Sequence, residues 1–331
     1  MTQSLAFWIE NSIENREKQP VIELHFNYWH LYDEKVNYLD VGILLKGKDK
    51  LFNSINVYLP FNYNEKSYID SLGDKITESE KLLSAIFNND VKSITPIREC
   101  SAKHIIFSDL DNNNEILFFT NLSHGTSENR VSIQLHSENG KHGTIIKFSK
   151  LIFNCQSKHE AKNWYFRFRY ILEGKDLENI SREYKSKDSI ITHYFEKSEI
   201  VDFRVNESRN LPKTIREKIA TCRDISNIHF FLIRNESSEF KMGHTAYNRC
   251  RILEENVWND YLFNQGEKIR TRMLIYQWKT NAHTHVECFS AFARFLTRKV
   301  GKKEVSWIIL WIVFLGTVSS LLATNIIYLF S

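Results

Sequence analysis

The segment VIELHFNYWHLY (residues 21–32) is rich in aromatic and β-branched side chains, a composition typical of a β-strand. NYLDVGILLKG (37–47) and INVYLPF (55–61) follow it closely and have the same character. Two longer segments, 104–122 and 130–150, carry turn residues at their centres and are predicted to form hairpins. The first half of the chain is therefore predicted to be rich in β-structure.

One helix is predicted to interrupt these strands. Thr77 and Glu80 form a T-x-x-E capping box ahead of KLLSAIFN (81–88), and such a box marks the first turn of a helix. The helix is accordingly expected to have Thr77 as its N-cap.

The sequence pattern changes near residue 155. Ser157 and Glu160 form a second capping box, and Gly174 is placed to end the helix that this box predicts. Within that helix, WYFRFRY (164–170) interleaves aromatic residues with two arginines, as surfaces that bind single-stranded nucleic acid do. Its apolar residues also recur at helical spacing, which favours packing in a core over nucleic-acid binding.

The rest of the body alternates between predicted strands and predicted helices. The strands are predicted at 189–195, 200–205, 228–234 and 271–279, and the helices at 212–220 and 254–263. The predicted fold class is therefore α+β, with a β-rich subdomain (1–152) followed by a mixed α/β subdomain (153–285).

Residues 305–331 contain no Asp, Glu, Lys or Arg. As a helix this segment would be about 40 Å long, which exceeds the roughly 30 Å hydrocarbon core of a bilayer. A single transmembrane helix is therefore predicted. The first residues carry no basic region followed by an apolar one, so a tail-anchored, single-pass membrane protein is expected.

The residues just before this span are strongly basic. Five cations face one acidic residue, Glu304: they are Arg294, Arg298, Lys299, Lys302 and Lys303. The positive-inside rule then predicts that the large N-terminal part lies in the cytosol and the short C-terminal end on the far side. The five cations are expected to contact the anionic membrane surface.

Residues 286–304 are predicted to form an amphipathic, basic juxtamembrane connector. Apolar residues from Phe289 to Val300 fall on one face of a helix, which Gly301 would break. A cut after residue 293 is accordingly expected to release a folded, soluble body.

The charge distribution argues against a domain that binds duplex nucleic acid. The chain has 44 Lys plus Arg against 40 Asp plus Glu, and the whole excess lies in residues 294–304. A duplex-binding domain would instead carry a basic surplus in the body. The five cysteines have irregular spacing, which in a cytosolic chain predicts neither a disulfide framework nor a zinc-binding pair.

Two short motifs are candidates for metal chemistry. HTHVEC (283–288) places His283, His285 and Glu287 on one side of an extended segment, and these side chains could bind a divalent metal, the one cofactor that the sequence indicates. Asp224 with Glu239 and Lys241 is a second candidate.

This second set has the residue types of nucleases in which carboxylates bind Mg²⁺ and a lysine helps to activate water. The common nucleotide-binding and hydrolase motifs do not occur in the chain. Neither metal motif has the extended signature of a known site.

Gly316, Ser320 and Thr324 repeat at every fourth position of the predicted span and form a stripe of small residues. Such a stripe lets two membrane helices approach closely, so self-association is predicted.

The preferred function is a non-enzymatic, membrane-anchored sensing or interaction module that binds a protein or small-molecule ligand. A defence-type effector that perturbs the membrane as an oligomer belongs to the same class. The alternative is a membrane-tethered, metal-dependent hydrolase or nuclease that uses one of the two metal motifs.

Overall fold

A computed structural model describes most of the chain. The described residues are 3–10, 20–31, 37–47, 52–97, 100–108, 115–122, 130–153, 163–184, 196–220, 225–262, 269, 271–280, 285–298 and 302–330. They form a mixed α/β structure in which strands predominate.

The strands are short to medium in length and are numbered in chain order. They are β1 (Ala6–Glu10), β2 (Val21–His30), β3 (Asn37–Lys46), β4 (Ser54–Leu59), β5 (Tyr68–Ile69), β6 (Val91–Ile97), β7 (Ala102–Phe107), β8 (Glu115–Phe119), β9 (Val131–Glu138), β10 (Lys141–Ser149), β11 (Asn163–Leu172), β12 (Ser181–Tyr184), β13 (Glu196–Val205), β14 (Ile225–Asn235), β15 (Ser238–Gly243), β16 (Arg249–Ile252), β17 (Met273–Lys279) and β18 (Phe289–Arg298). The helices are α1 (Leu72–Thr77), α2 (Glu80–Phe87), α3 (Lys213–Ile219), α4 (Glu255–Leu262) and α5 (Lys302–Phe330).

The described strands form three sheets. The large one has ten strands in the order β16-β17-β14-β2-β3-β11-β8-β7-β6, with β5 paired to β11. Two four-stranded sheets have the orders β1-β4-β10-β9 and β12-β13-β18-β15. A single bridge between Leu5 and Val205 connects the two smaller sheets.

The main core lies between the large sheet and both smaller sheets. Phe26 of β2 shows this arrangement, because its ring lies 5.5 Å from that of Phe7 in β1 and 4.9 Å from that of Phe203 in β13. All three side chains are buried. The opposite face of the large sheet packs against α1, α2 and α4, where the rings of Trp29 and Trp258 lie 5.3 Å apart.

Most of the predicted strands and helices are confirmed. β2 and β3 lie within two of the strand-like segments of the first half, β4 begins one residue before the third, and the segments 104–122 and 130–150 are antiparallel hairpins. The second hairpin turns through Asn139 and Gly140, which both have positive φ. This conformation is the one that a two-residue hairpin loop requires.

The predicted N-cap of α2 is wrong, although the helix itself is confirmed. Ser79 is the N-cap, and its hydroxyl oxygen accepts a hydrogen bond from the backbone N–H of Leu82. Thr77 is instead the last residue of α1, where its hydroxyl donates to the carbonyl oxygen of Gly73. Two short helices follow each other here, and the T-x-x-E pattern does not distinguish the end of one from the start of the next.

The helix predicted across residues 164–170 is wrong, because this segment is part of the strand β11. β11 lies between β3 and β8 and is buried on both faces of the sheet. Phe166, Phe168 and Tyr170 alternate with Arg167 and Arg169, which is the period of two of a strand, and both sets of side chains are buried. The predicted capping residues Ser157 and Glu160 lie outside the described residues.

The helical connector predicted at 286–304 is also wrong, because residues 289–298 form β18. β18 lies between β13 and β15, and its alternate residues Ala291, Ala293 and Phe295 are buried. The buried residues of this segment therefore recur at every second position, as in a strand, and not at helical spacing. The large sheet also contains strands from both sides of the predicted subdomain boundary near residues 150–155, so this boundary does not separate two sheets.

Helix α5 is long and apolar enough to cross a bilayer. Its segment Val305–Ala323 contains no Asp, Glu, Lys or Arg, and none of the segment is buried against the rest of the protein.

One of the cysteines in the described residues forms a disulfide bond, although the sequence predicts no disulfide framework. Cys100 is disulfide-bonded, whereas Cys250 and Cys288 are free and exposed.

The position of β18 changes where the body can be cut. A chain that ends at residue 293 loses the second half of β18, including the fully buried Phe295 and Thr297, whose hydroxyl lies 2.9 Å from that of Ser238. We expect removal of a buried phenylalanine alone to lower the free energy of unfolding by about 3–5 kcal/mol. The fragment 1–298 keeps the whole strand.

Thermal unfolding followed by circular dichroism checks this comparison. We expect a cooperative transition for fragment 1–298 and a lower or absent one for fragment 1–293. Equal transition temperatures for the two fragments would contradict the place of β18 in the sheet.

Candidate functional site

The metal-binding set predicted at 283–287 is only partly within the described residues. His285 is half-buried and Glu287 is exposed, whereas His283 lies outside. In the described ranges, these two residues do not belong to a group of three His, Cys, Asp or Glu side chains whose donor atoms lie close together. The set stays a prediction.

The nuclease-like set is also only partly within the described residues, because Asp224 lies outside them. Glu239 and Lys241 lie on β15, and the Lys241 Nζ is 2.8 Å from a carboxylate oxygen of Glu239. Both side chains are largely exposed, and the hydrogen bond from Lys241 lowers the pKa of Glu239. The lysine therefore contacts the carboxylate in a surface ion pair.

The residues predicted to contact the membrane surface differ in their surroundings. Arg294 lies within β18, where its Nε donates to the Ser198 hydroxyl oxygen at 3.0 Å, and Arg298 is exposed at the end of that strand. Lys302 and Lys303 begin α5, and Lys299 lies outside the described residues.

In the predicted stripe, a Cβ at Gly316 would have no heavy atom within 4 Å, so this position offers open space to another helix. Ser320 is exposed, and Thr324 lies further along α5.

The structure brings together three residues that the sequence analysis did not single out. Glu23 and His25 of β2 and His229 of β14 each offer one donor atom, and these atoms lie within 4.8 Å of one another. In the described part of the chain, they are the one group of this composition and spacing. The three side chains are mostly buried but not sealed from solvent, since 13% of the His25 side chain and 16% of the Glu23 side chain are exposed.

The backbone of the large sheet fixes this arrangement, which we call the Glu23–His25–His229 cluster. Glu23 and His25 are two residues apart on β2 and therefore point to the same face of the sheet. β14 pairs with β2 in parallel, and the register places His229 directly beside His25. The two imidazole rings have their centroids 5.0 Å apart.

Both histidines of the cluster are held in the neutral form. Burial and the neighbouring His229 and Arg167 lower the pKa of His25 well below its usual value. Burial and Lys279 lower the pKa of His229 to about 4. At neutral pH each ring therefore has an unprotonated nitrogen that can bind a metal or accept a hydrogen bond.

Basic and polar side chains surround the cluster. The Lys46 Nζ lies 2.7 Å from a carboxylate oxygen of Glu23, and His25 Nε2 lies 4.0 Å from the other oxygen. On β17, Lys279 pairs across the strands with His229, and the amide nitrogen of Gln277 lies 3.5 Å from His229 Nδ1. This environment combines a cationic rim with two neutral imidazoles and one carboxylate.

A second polar centre lies deeper on the same face of the sheet, around the fully buried Asp40. Arg169 donates to both carboxylate oxygens, at 2.6 and 3.1 Å, and Trp29 and Tyr261 each donate to one of them. Arg167 is also buried, and its NH1 donates to the Tyr261 oxygen at 3.4 Å, while its Nε has no hydrogen-bond partner. The donors to Asp40 come from β2, β11 and α4, so this centre connects the large sheet to a helix that covers it.

A third polar centre lies in the main core. Glu199 of β13 accepts hydrogen bonds from Arg234 at 2.8 Å and from the Ser181 hydroxyl, and His30 Nε2 lies 3.3 Å away. Burial raises the pKa of Glu199, but His30, Arg234 and the Ser181 hydroxyl together outweigh this effect and lower the pKa to about 2. Burial and Arg234 lower the pKa of His30 to about 3, so His30 is neutral at physiological pH.

The Glu23–His25–His229 cluster is the best candidate for chemistry among these centres, because it is the accessible one. Two neutral imidazoles and a carboxylate are the donor set of several catalytic metal sites, and they can also bind a polar ligand. The pair Glu23 and His25 could have been found from the alternation along residues 21–32. His229 could not, because only the order of strands in the sheet places it there.

Comparison with known proteins does not identify this site. No known family model matches the chain. A search of curated proteins also finds no match.

The buried His30 makes stability depend on pH. Its pKa is about 3 in the folded protein and near 6.5 when the chain is unfolded, so the unfolded state binds one more proton between these values. Stability contributed by the neutral ring is thus full above about pH 6.5 and falls by up to about 1.4 kcal/mol per pH unit below it.

Urea unfolding at pH 6.5, 5.75 and 5 measures this effect. We expect the free energy of unfolding of the His30→Gln variant to fall less over this interval than that of the parent. The difference in slope should approach about 1.4 kcal/mol per pH unit, the value for one bound proton. His244→Gln, at an exposed histidine, controls for the loss of an imidazole. Parallel pH curves for the parent and His30→Gln would contradict the buried, neutral state of His30.

Proposed function

We propose that this protein is a sensing or interaction module that α5 holds at a membrane, with the β-rich body on the cytosolic side. The observation that supports this function best is the exposed apolar surface of α5. Large side chains such as Trp307, Ile312 and Leu315 are all more than half exposed. Such a continuous apolar surface is unfavourable in water, and a bilayer would bury it.

The short connection between body and helix supports signal transmission. β18 ends at Arg298 and α5 begins at Lys302, so three residues join a central strand of a sheet to the proposed membrane helix. A ligand that shifts β18 against its neighbours would therefore act on α5 directly.

Two observations bear on the orientation, and they point in opposite directions. The basic residues before α5 favour a cytosolic body through the positive-inside rule. The disulfide at Cys100 favours an oxidising compartment, since such bonds are rare in the cytosol. We propose the cytosolic orientation because the basic cluster lies within a few residues of the span, where charge has the strongest effect on topology.

A single helix cannot enclose a pore, so a membrane-perturbing effector would act as an oligomer. Self-association through Gly316, Ser320 and Thr324 would bring several bodies together and is part of this proposal. The ligand or partner that triggers it would be a protein or a small molecule bound by the body.

The competing function is a membrane-tethered, metal-dependent hydrolase or nuclease. The Glu23–His25–His229 cluster favours it more than the two motifs found in the sequence, because its three donors are close together. Turnover of a phosphodiester or ester by the metal-loaded protein, lost in a His229→Ala variant, would favour this function over sensing.

Charges placed within the apolar segment test the membrane anchor. We expect the double variant Ile312→Arg, Leu315→Arg to leave the membrane fraction after an alkaline wash, because two central arginines cost about 5–7 kcal/mol of insertion free energy. The control variant Leu135→Arg, Ile252→Arg changes two exposed apolar residues of the body and should stay in the membrane fraction.

The exposed thiols of Cys250 and Cys288 report the orientation in the same cells. A membrane-impermeant maleimide should label them only after the cells are permeabilised. Labelling of intact cells would contradict the cytosolic body, and release of the unmodified protein by the alkaline wash would contradict the anchor.

Bulky residues in the small-residue stripe test self-association. We expect Gly316→Leu, Ser320→Leu to reduce the cross-linked oligomer severalfold in membranes, because the added side chains keep two helices apart. Val318→Leu, on the opposite face of α5, is the matched control. Equal cross-linking in all three proteins would show that the stripe is not the contact.

A further inference from the structure

We propose that Glu23, His25 and His229 bind one divalent transition-metal ion, with Zn²⁺ as the preferred ion. This assignment goes beyond the proposed function and does not depend on the membrane helix. It rests first on composition, because two histidines and one glutamate supply three protein ligands and leave a fourth position open to water or a substrate.

The distances within the cluster suit such an ion. Two ligands that each lie about 2.1 Å from a tetrahedral metal are about 3.4 Å from each other. The donor atoms of Glu23, His25 and His229 already lie within 4.8 Å of one another. Side-chain rotation that shortens the longest separation by at most about 1.4 Å would complete the geometry.

The backbone holds the ligands in place. β2 lies between β14 and β3, and β14 lies between β17 and β2, so both strands that carry ligands are hydrogen-bonded on each side. Such strands position side chains more rigidly than loops do. Metal binding would therefore require little ordering of the protein.

Gln277 is placed to orient one ligand. Its side-chain amide lies 3.5 Å from His229 Nδ1. With the amide turned so that its carbonyl oxygen faces the ring, Gln277 accepts a hydrogen bond from Nδ1–H and leaves Nε2 to bind the metal. Histidine ligands commonly have a partner of this kind on the second ring nitrogen.

Lys46 competes with the metal for Glu23. Its Nζ is 2.7 Å from the Glu23 carboxylate, and its side chain is 42% exposed, so it can withdraw into solvent. A bound ion would displace this ammonium group. The neighbouring cations disfavour weakly held Mg²⁺ and Ca²⁺, which prefer sites made of oxygen ligands alone, and leave metals with a high affinity for imidazole.

Loss of a ligand and loss of the competing Lys46 are expected to change the metal affinity in opposite directions. Substitution of a ligand, in His229→Ala or Glu23→Gln, should weaken metal binding by at least about 100-fold. Lys46→Gln removes the competing charge and should strengthen binding by about tenfold. His244→Ala removes an exposed histidine outside both candidate metal sets and should leave the affinity unchanged, whereas His285→Ala tests the set predicted at 283–287.

The experiment uses the full chain in detergent micelles, titrated with Co²⁺ and then with Zn²⁺ as the competitor. We expect one ion per chain and a visible absorption band of tetrahedral Co²⁺ that Zn²⁺ abolishes. Circular dichroism of each variant reports whether it folds. Lys46→Gln changes an exposed residue, so it tests the site even where a ligand variant does not fold.

Two results would overturn the assignment. One is the absence of stoichiometric Co²⁺ or Zn²⁺ binding by the parent protein. The other is binding that is the same in the parent, in folded His229→Ala and in Lys46→Gln. Loss of binding in His285→Ala alone would place the metal in the segment 283–287 instead.

Discussion

The Asp40 carboxylate is the interaction on which the large sheet depends. Asp40 lies on β3 and is fully buried, and its donors come from β2, β11 and α4. A buried carboxylate is stable only when hydrogen bonds and opposite charge replace its water, and Trp29, Arg169 and Tyr261 supply both. One acidic side chain thus joins three strands to the helix that covers them. Its loss would leave Arg169 buried without an opposite charge.

The sequence predicts secondary structure correctly where its apolar residues fit only one period, either that of a strand or that of a helix. β2, β3 and the hairpins have strand composition and turn residues that admit no helical alternative. In β11 and β18 the apolar residues fit helical spacing as well as alternation, so the sequence predicts helices where the structure has strands. β11 alternates aromatic residues with Arg167 and Arg169, but both arginines are buried, which the sequence alone does not indicate. β18 alternates buried and partly exposed residues, but Phe289, Phe292, Leu296 and Val300 also fall at helical spacing, and this second pattern predicts a helix.

The candidate site was less predictable than the fold. Glu23 and His25 share a face by simple alternation along β2, whereas His229 comes from a strand about 200 residues later. No local pattern indicates that β14 lies beside β2, because parallel pairing depends on the topology of the whole sheet. The histidines that the sequence does predict as metal ligands are His283 and His285, which lie close together in the sequence. Closeness in sequence is a poor guide when the sheet brings distant strands together.

The parallel pairing of β14 with β2 also determines the order in which this protein can fold. β2 can pair with β3 as soon as both are synthesised, yet the other edge of β2 has no native partner until residues 225–235 have left the ribosome. During that time an apolar strand edge is open to pairing with other chains. Pairs so distant in sequence also form slowly. The nascent chain therefore passes through a period in which aggregation competes with folding, and a chaperone that covers β2 would shift the balance towards the native sheet.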